Sequence, residues 1–354
     1  MMEERTPRVP DARREALTPI LTALEHAQRV VLTTHVNADG DGAGSEAAVA
    51  AWLAARGKHI HIVNPTPFPD PFRHLIEDHT WVADAGSAEG AAALRAAEVI
   101  LVLDTGEPRR VGRVAGSLTG KTVLVIDHHL PNEGGFDGLI LQDRTACATG
   151  ELVYDLLALA NLHRPWPARI LEAIYTAILT DTGGFRFSNT TPRTHLVAAD
   201  LLAQGVDPED VYRRVYATVP LSRIRLLRHA LDSLEVDGEL PITWMSIDRK
   251  TMDTLGASSD DLEGIIEHAR SIEGTEVAVL FRETSDGSTK ISLRSTGDVN
   301  VNAVARTFGG GGHEKASGAL IGARMAEVQP RVLEAVRQAV RSTLVAYRHP
   351  AGAD

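Results

Sequence analysis

Hydrophobic positions in the first half of the chain alternate between helical spacing and short runs that are apolar throughout. Residues 11–27 have the spacing of an amphipathic helix, and RVVLTT at 29–34 predicts a strand. An Ala-rich helix is predicted from about Ser45 to Arg56. Further predicted strands are HIHIV at 59–63, VILVLD at 99–104 and TVLVID at 122–127. Such strands alternating with helices are typical of an α/β fold, with a parallel sheet covered on both faces.

The second half of the chain is first helical and then mixed. Helical spacing dominates at 146–180 and again from 192 to about 235. After Asp237–Gly238, the segments PITWMSI, TEVAVLF and TKISLRS read as strands separated by helices, and a last long helix is predicted at 324–345. The predicted organisation is a parallel-sheet domain at 12–190, a helical connector at 191–235 and a smaller α/β domain at 236–345.

Composition agrees with a folded protein of two domains. The chain has 354 residues, of which 44% are hydrophobic and 23% charged. Cys147 is the single cysteine, which excludes an intramolecular disulfide and a thiolate metal cluster. The N-terminus is charged without the apolar core of a signal peptide, and no apolar run approaches the ~20 residues that span a bilayer. We therefore expect a cytoplasmic protein without a membrane partner.

The net charge narrows the range of partners. A formal charge of −11 repels the phosphate backbone and offers no broad basic track for long duplex nucleic acid. A short nucleotide held locally by metal ions is compatible with this charge. Some of the acidic residues are then explained as metal ligands.

Four segments carry hard metal ligands next to predicted elements. Three follow predicted strands, and the fourth, Asp181 in LTDTGGF, follows a helical pattern. The strand-end ligands are His35, Asp39 and Asp41 in HVNADGDGAGS, Asp104 in VLDTG, and the triplet Asp127, His128 and His129. In open parallel sheets ligands bind beyond the carboxyl ends of the strands, so these loops can converge.

The residue types at these positions indicate divalent metal ions. Oxygen and imidazole ligands without cysteine suit Mn²⁺ or Mg²⁺. Asp39 and Asp41 are one residue apart and can address two adjacent ions, and a carboxylate such as Asp104 can bridge both. Two ions ~3.5–4 Å apart stabilise the attacking and leaving oxygens of phosphoryl transfer. Each aspartate alone is typical of a turn or a helix cap, but gathering several of them requires cations.

These segments resemble the DHH phosphoesterases, a family named for the triplet seen here as Asp127, His128 and His129. The first segment fits the family pattern HxxxDGDxxGS. The resemblance implies one ion on His35, Asp39 and Asp104, and a second on Asp41, Asp104, His128 and Asp181. It also implies that His129 faces the substrate phosphate, so Asp104, Asp127 and His129 are the expected catalytic residues.

A glycine-rich segment near the C-terminus is the second informative motif. FGGGGHEKASG at 308–318 can turn several backbone N–H groups towards one anion, and Arg294 in SLRS can offer a planar fork to a phosphate. Together with the DHH segments, these stretches resemble the DHHA1 domain, which binds the nucleotide end of the substrate. The substrate-binding residues that the resemblance implies are Arg294, Ser295, Gly310, Gly311, Gly312 and His313.

The resemblance implies a two-metal phosphodiesterase that uses Mn²⁺, with Mg²⁺ as the alternative. The reaction that the resemblance implies is hydrolysis of short oligoribonucleotides, of about two to five units, and linear dinucleotides to 5′-mononucleotides, and short substrates are compatible with the acidic net charge. Cleavage of cyclic di-AMP, removal of the 3′-phosphate from 3′-phosphoadenosine 5′-phosphate, and a non-catalytic nucleotide sensor remain alternatives. The resemblance also suggests a homodimer.

Three further patterns are not interpreted as catalytic. The stretch 115–122 fits a relaxed phosphate-loop spelling, but it runs into a predicted strand rather than a helix. The spacing of Gly40, Gly42 and Gly44 is similar to that of a dinucleotide-binding motif. Ser45, however, occupies the position at which that motif has its last glycine. NPTPFPDPF at 64–72 predicts a rigid loop, which the resemblance would make a pocket wall.

Overall fold

The computed structural model describes residues 7–129, 134–258, 260–262, 264–312 and 314–348. The chain forms two compact units, Met1–Thr218 and Val219–Asp354. The predicted connector at 191–235 spans the division between them. The domain bounds inferred from the sequence stay a prediction.

The first unit contains a parallel sheet of six strands in the order β3-β2-β1-β4-β5-β6. Its strands are β1 (Arg29–Thr33), β2 (His59–Asn64), β3 (Val82–Asp84), β4 (Val99–Leu103), β5 (Thr122–Asp127) and β6 (Leu139–Gln142). The predicted parallel sheet is confirmed, with the four predicted strands at its centre. The edge strands β3 and β6 were not predicted, because they are short and lack a long apolar run.

Helices cover both faces of this sheet, as predicted. They are α1 (Asp11–His26), α2 (Gly40–Ala54), α3 (Ala88–Ala96), α4 (Thr149–Leu159), α5 (Ala168–Asp181), α6 (Pro192–Ala203) and α7 (Pro208–Val215). On one face Leu32 and Leu101 pack in a core with α1, α2, α4 and α5. On the other face Ile100 and Val102 pack with α3 and a 3₁₀ helix at Pro108–Ser117. The stretch 115–122 therefore leads into β5 and does not open a helix, which agrees with its rejection as a phosphate loop.

Helix α2 begins at Gly40 rather than near Ser45, the predicted start. Glycine is a poor helix former, but Asp39 starts the helix because its side chain accepts hydrogen bonds from the N–H groups of Asp41 and Gly42. Gly40 and Gly44 are needed for the packing of α2 against α5, because a Cβ atom at either position would collide with that helix. A Cβ atom on Gly44 would lie 2.5 Å from the carbonyl oxygen of Ala173. Because these glycines have no side chains, α5 can lie close to the start of α2.

The second unit contains a mixed sheet in the order β11-β12-β10-β9-β8-β7, in which β8 and β9 pair in parallel and the other described pairs are antiparallel. Its strands are β7 (Glu235–Val236), β8 (Ile242–Ile247), β9 (Val277–Glu283), β10 (Thr289–Ser295), β11 (Gly311–Gly312) and β12 (Ala316–Ile321). Its helices are α8 (Leu221–Asp232), α9 (Arg249–Leu255), α10 (Ile265–Arg270), α11 (Val301–Thr307) and α12 (Met325–Arg348). The α/β class predicted for this half is confirmed.

Within the described ranges of the whole chain, no helix is both long enough and apolar enough to span a bilayer.

Candidate active site

The candidate site lies where the strand order of the first sheet reverses. From β1 the chain moves outward to β2 and β3 on one side, and β4, β5 and β6 occupy the other side. In open α/β sheets, ligands bind beyond the carboxyl ends of the strands at such a reversal of strand order. The predicted ligands after β1, β4 and β5 and at the end of α5 come together at this point.

The first group of side chains consists of His35, Asp39 and Asp104. Nε2 of His35 lies 3.2 Å from Oδ2 of Asp104 and 3.8 Å from Oδ2 of Asp39. Nδ1 of His35 lies 2.9 Å from the carbonyl oxygen of Val36. Because a carbonyl only accepts, Nδ1 donates in this bond, and Nε2 faces the two carboxylates as the potential ligand atom. This orientation suits a metal ligand.

The second group consists of Asp41, His128 and Asp181. Nε2 of His128 is buried and has no hydrogen-bond partner among the residues that the structure describes. It lies 3.6 Å from Oδ2 of Asp41, 3.5 Å from Oδ2 of Asp181 and 3.7 Å from Oδ1 of Asp104. Neighbouring ligands of an octahedral ion with bonds of 2.0–2.2 Å lie about 3 Å apart, so a small contraction would suit a hard divalent cation. The orphaned nitrogen and its three carboxylate neighbours fit a metal ion.

Asp104 stands between the two groups. Its Oδ2 faces His35 and its Oδ1 faces His128. The residue is buried, its Oδ1 accepts a hydrogen bond of 3.0 Å from the Thr149 hydroxyl, and its φ is +62°. Aspartate tolerates this left-handed conformation better than most residues. Burial, followed by the neighbouring charges of Asp39 and Asp181, raises the pKa of Asp104 well above its ordinary value.

Asp41 is fixed by the first turn of α4. The backbone N–H groups of Thr149 and Gly150 donate to its two oxygens at 2.7 and 2.8 Å. Burial and the charge of Asp104 nevertheless raise the pKa of Asp41 well above its ordinary value. Thr149 and Gly150 were not predicted from the sequence as site residues. The available signal was a Thr-Gly pair at the start of a helical pattern, where free N–H groups attract a carboxylate.

Within the described residues, Asp127 belongs neither to these two groups of potential ligands nor to a third one, which consists of Asp104, His128 and His129. Its Oδ1 accepts from Nδ1 of His129 at 2.7 Å, and its Oδ2 accepts from Nε2 of Gln142 at 2.8 Å. Burial alone would raise the pKa of Asp127, but the hydrogen bonds from His129 and Gln142 outweigh it and leave the pKa below its ordinary value. Asp127 therefore orients His129 and leaves the Nε2 atom of that half-exposed ring available.

Metal removal should make the first unit sensitive to rising pH. Burial and like charges raise the pKa values of Asp41, Asp104 and Asp181 in the metal-free protein. The folded state then holds protons that the unfolded state has lost, so the free energy of unfolding falls as pH rises from the ordinary carboxyl pKa of about 4 towards the raised values. Mn²⁺ should replace these protons, raise the unfolding free energy and flatten its pH dependence.

Urea denaturation from about pH 5 to 8, with Mn²⁺ or with a chelator, measures this effect. Asp104→Asn removes one of the raised groups and should shrink both the pH dependence and the response to Mn²⁺. An unfolding free energy that is unaffected by Mn²⁺ across this range would contradict the assignment of these carboxylates as ligands.

Those predicted substrate-binding residues that the structure describes lie on or next to β10 and β11 of the second sheet. Arg294 on β10 is about one-third exposed and lies 3.2 Å from Glu267 through its Nε. Ser295 is buried, and its hydroxyl donates to the carbonyl oxygen of Val299. Strand β12 separates β10 from β11, which contains Gly311 and Gly312. Gly310 and Gly312 leave no room for a Cβ atom beside β12. His313 lies outside the described residues.

The fold and the site define the class of protein. A parallel sheet with carboxylates and imidazoles gathered at its switch point is the arrangement of a metal-dependent hydrolase of phosphate esters. Residues 29–178 match the model of the DHH family, N-terminal domain, and residues 249–342 match the DHHA1 domain. The chain belongs to the DHH phosphoesterase family and carries both of these domains. The resemblance inferred from the sequence is confirmed.

Relatives support the same assignment along most of the chain. The bifunctional oligoribonuclease and PAP phosphatase NrnA of Thermus thermophilus is 35% identical over 87% of this chain and 89% of its own length. The protein of the same name from Bacillus subtilis is 28% identical over 86% of this chain and 93% of its own length. The crystal structure of an exopolyphosphatase-related protein from Bacteroides fragilis superposes with a TM-score of 0.83, at 27% identity, covering 93% of this chain and 96% of that one.

Proposed function

We propose that this protein is a two-metal phosphodiesterase that hydrolyses short oligoribonucleotides and linear dinucleotides to 5′-mononucleotides. The observation that carries the proposal is the position of Asp104, whose two oxygens face two separate groups of potential ligands. Relatives named as oligoribonucleases, similar over nearly the whole chain, support the substrate class. We propose substrates of about two to five nucleotides, and the net charge of −11 is compatible with them because they need only local contacts.

The proposed ligands fall into two sets that share Asp104. His35, Asp39 and Asp104 would hold one ion, and Asp41, Asp104, His128 and Asp181 would hold the other. Oxygen and imidazole donors without sulfur favour Mn²⁺, with Mg²⁺ as the alternative. When bound, the ions would neutralise the phosphoryl oxygens and lower the pKa of a water molecule to make it nucleophilic at neutral pH.

Residues of the chain itself would complete the chemistry. His129 is held by Asp127 through Nδ1, so its Nε2 can donate a hydrogen bond or a proton to the substrate phosphate. Gln142 occupies the other oxygen of Asp127 and keeps that carboxylate directed at His129. In the second unit we propose that Arg294, Ser295, His313 and the glycines 310–312 bind the nucleotide end of the substrate. Of these, Arg294 offers a planar donor group that suits a phosphate.

We also propose 3′-phosphoadenosine 5′-phosphate as a second substrate. Both NrnA relatives carry this activity in their names, and removal of a 3′-phosphate needs the same metal ligands. Cyclic di-AMP is a third compound to test, since its hydrolysis requires the same ions. The cytoplasm remains the proposed location, a homodimer the proposed assembly, and 12–190, 191–235 and 236–345 the proposed division of the chain.

The proposal is tested by measuring Mn²⁺-dependent turnover of three compounds side by side. These are a 5′-phosphorylated RNA trimer, 3′-phosphoadenosine 5′-phosphate and cyclic di-AMP. We expect the trimer to yield products one nucleotide apart, and 3′-phosphoadenosine 5′-phosphate to yield AMP and inorganic phosphate. A chelator should stop both reactions. Activity confined to long RNA, or no turnover of the trimer and of 3′-phosphoadenosine 5′-phosphate, would refute the proposed function.

A further inference from the structure

The proline-rich segment 64–72 encloses a cavity in the first unit. The cavity has a volume of about 190 Å³ and lies at the carboxyl ends of β2 and β3. Asn64, Phe68 and Ala83 form a buried floor, whereas Asp70, Arg73 and Asp84 lie at an exposed rim. Prolines fix the backbone of this loop in advance, so the cavity is preformed rather than created by an incoming ligand.

This cavity is connected directly to the loop that carries His35. The backbone N–H of Thr34 donates to Oδ1 of Asn64 at 3.1 Å, and the N–H of Asn37 donates to the Thr66 hydroxyl at 2.8 Å. Both acceptors line the cavity, and both donors flank His35 in the chain. With neighbouring strands 4.7–4.9 Å apart, β3 lies about 10 Å from β1. One nucleoside attached to a phosphate at the metal ligands can span that distance.

Size and charge indicate which part of a nucleotide fits. Pockets for whole drug-sized ligands measure about 300–1,000 Å³, so this cavity takes a fragment such as one base. Its two rim carboxylates, Asp70 and Asp84, disfavour a phosphate group. The nearest cations are already close to them, with Arg73 at 3.5 Å from Asp70 and Arg113 at 3.6 Å from Asp84. The lining therefore suits an uncharged group that donates hydrogen bonds.

We propose that this cavity is a subsite for a second base of an oligoribonucleotide, one that carries an amino group. The inference rests on the proposed function and deepens it, because it says where a substrate longer than one nucleoside gains its contacts. Asp84 accepts from Gly86 through Oδ1 and presents its carboxylate to the N–H groups of the base edge. The apolar floor at Phe68 and Ala83 packs against the ring.

The test compares an RNA trimer with 3′-phosphoadenosine 5′-phosphate, which has only one nucleoside. Val82 lines the cavity on β3, and Val82→Phe fills it with a side chain that strands accept well. We expect KM for an adenosine trimer to rise roughly tenfold with kcat little changed, as removal of one base contact would do. The kcat/KM for 3′-phosphoadenosine 5′-phosphate should change far less. The same substitution at Val236, on exposed β7, is the matched control. It should leave the kinetic constants for both substrates unchanged.

Asp84→Asn supplies a second variant that keeps the shape of the side chain. It should raise KM for an adenosine trimer more than KM for a uridine trimer, since adenine offers an exocyclic amino group to the carboxylate whereas uracil offers only its ring N–H. Equal losses of kcat/KM for the trimer and for 3′-phosphoadenosine 5′-phosphate would contradict the proposed subsite. An unchanged KM for the trimer in both variants would contradict it as well. Wild-type turnover of the trimer in the same assay separates that outcome from a failure of the proposed function.

Discussion

Replacing Asp104 with asparagine should lower kcat on an RNA trimer by about three orders of magnitude, a loss of about 4 kcal/mol of transition-state stabilisation. Asp104 is the carboxylate whose two oxygens face both groups of potential ligands. Asparagine retains one acceptor oxygen and loses the negative charge, so neither ion would keep its shared ligand. The expected result is a folded protein with little activity.

Asparagine is a sharper test than alanine at this position. The backbone of Asp104 has φ +62°, a left-handed conformation that asparagine tolerates, whereas alanine would add a strain of about 1–2 kcal/mol. The amide can also keep the hydrogen bond from the Thr149 hydroxyl. A loss of activity in Asp104→Asn therefore reports on charge and ligation rather than on misfolding.

Two measurements check this prediction together. Steady-state kinetics gives kcat, and calorimetric titration with Mn²⁺ gives the number of ions bound, which should be lower in Asp104→Asn than the two proposed for the wild type. Asp11→Asn is the control, because Asp11 is exposed and its side chain pairs only with Arg8 among the described residues. Wild-type kcat in Asp104→Asn would refute the assignment of Asp104 as the bridging ligand.

Most of the central strands could be predicted from the sequence because each one is a continuous apolar run, which is a local feature of the chain. Runs such as VILVL at 99–103 are buried from end to end, and an all-apolar run followed by Asp104 is typical of a central parallel strand that ends at a site. Edge strands gave no such signal. Leu139 and Ile140 of β6 are exposed, and only their pairing with β5 makes the segment a strand.

The contacts that orient the site were harder to predict because they join residues far apart in the chain. Gln142 contacts Asp127 only after β6 has paired with β5. Thr149 and Gly150 reach Asp41 across 108 and 109 positions of the sequence. Neither contact follows from spacing or residue type. Sequence patterns thus indicated which side chains would gather, whereas the supporting hydrogen bonds required the tertiary structure.

The largest expected effect on stability comes from Arg13, a buried cation behind the site. Its guanidinium donates to Asp143 and Glu151 at 2.6 Å and to Asp155 at 2.8 Å. Glu151 and Asp155 are fully buried, and Arg193 is their other cationic partner in the described part of the chain. Burial alone would lower the pKa of Arg13, but Glu151 and the hydrogen bonds outweigh it and raise the pKa above its ordinary value. The group is therefore permanently charged.

Arg13→Met should lower the free energy of unfolding of the first unit by about 3–5 kcal/mol, because two buried carboxylates would be left with one cation. For a unit of this size each kcal/mol lowers Tm by about 2–4 °C, so a fall of about 10 °C is expected. Urea denaturation followed by tryptophan fluorescence measures the change. Arg14→Met is the matched control, since Arg14 is the exposed neighbour on α1 and should shift stability by no more than about 0.5 kcal/mol.

The pH dependence of the Arg13→Met deficit distinguishes loss of charge pairing from loss of packing. Burial already raises the pKa of Asp155 in the wild type, and removal of Arg13 should raise it further. A raised carboxyl pKa means that the folded variant binds protons that the unfolded chain releases, so its deficit should shrink as pH falls through that raised value. Because Glu151 shares the first turn of α4 with Thr149 and Gly150, the variant should also bind Mn²⁺ more weakly through Asp41. A deficit that is independent of pH, together with unchanged Mn²⁺ affinity, would mean that Arg13 contributes packing alone.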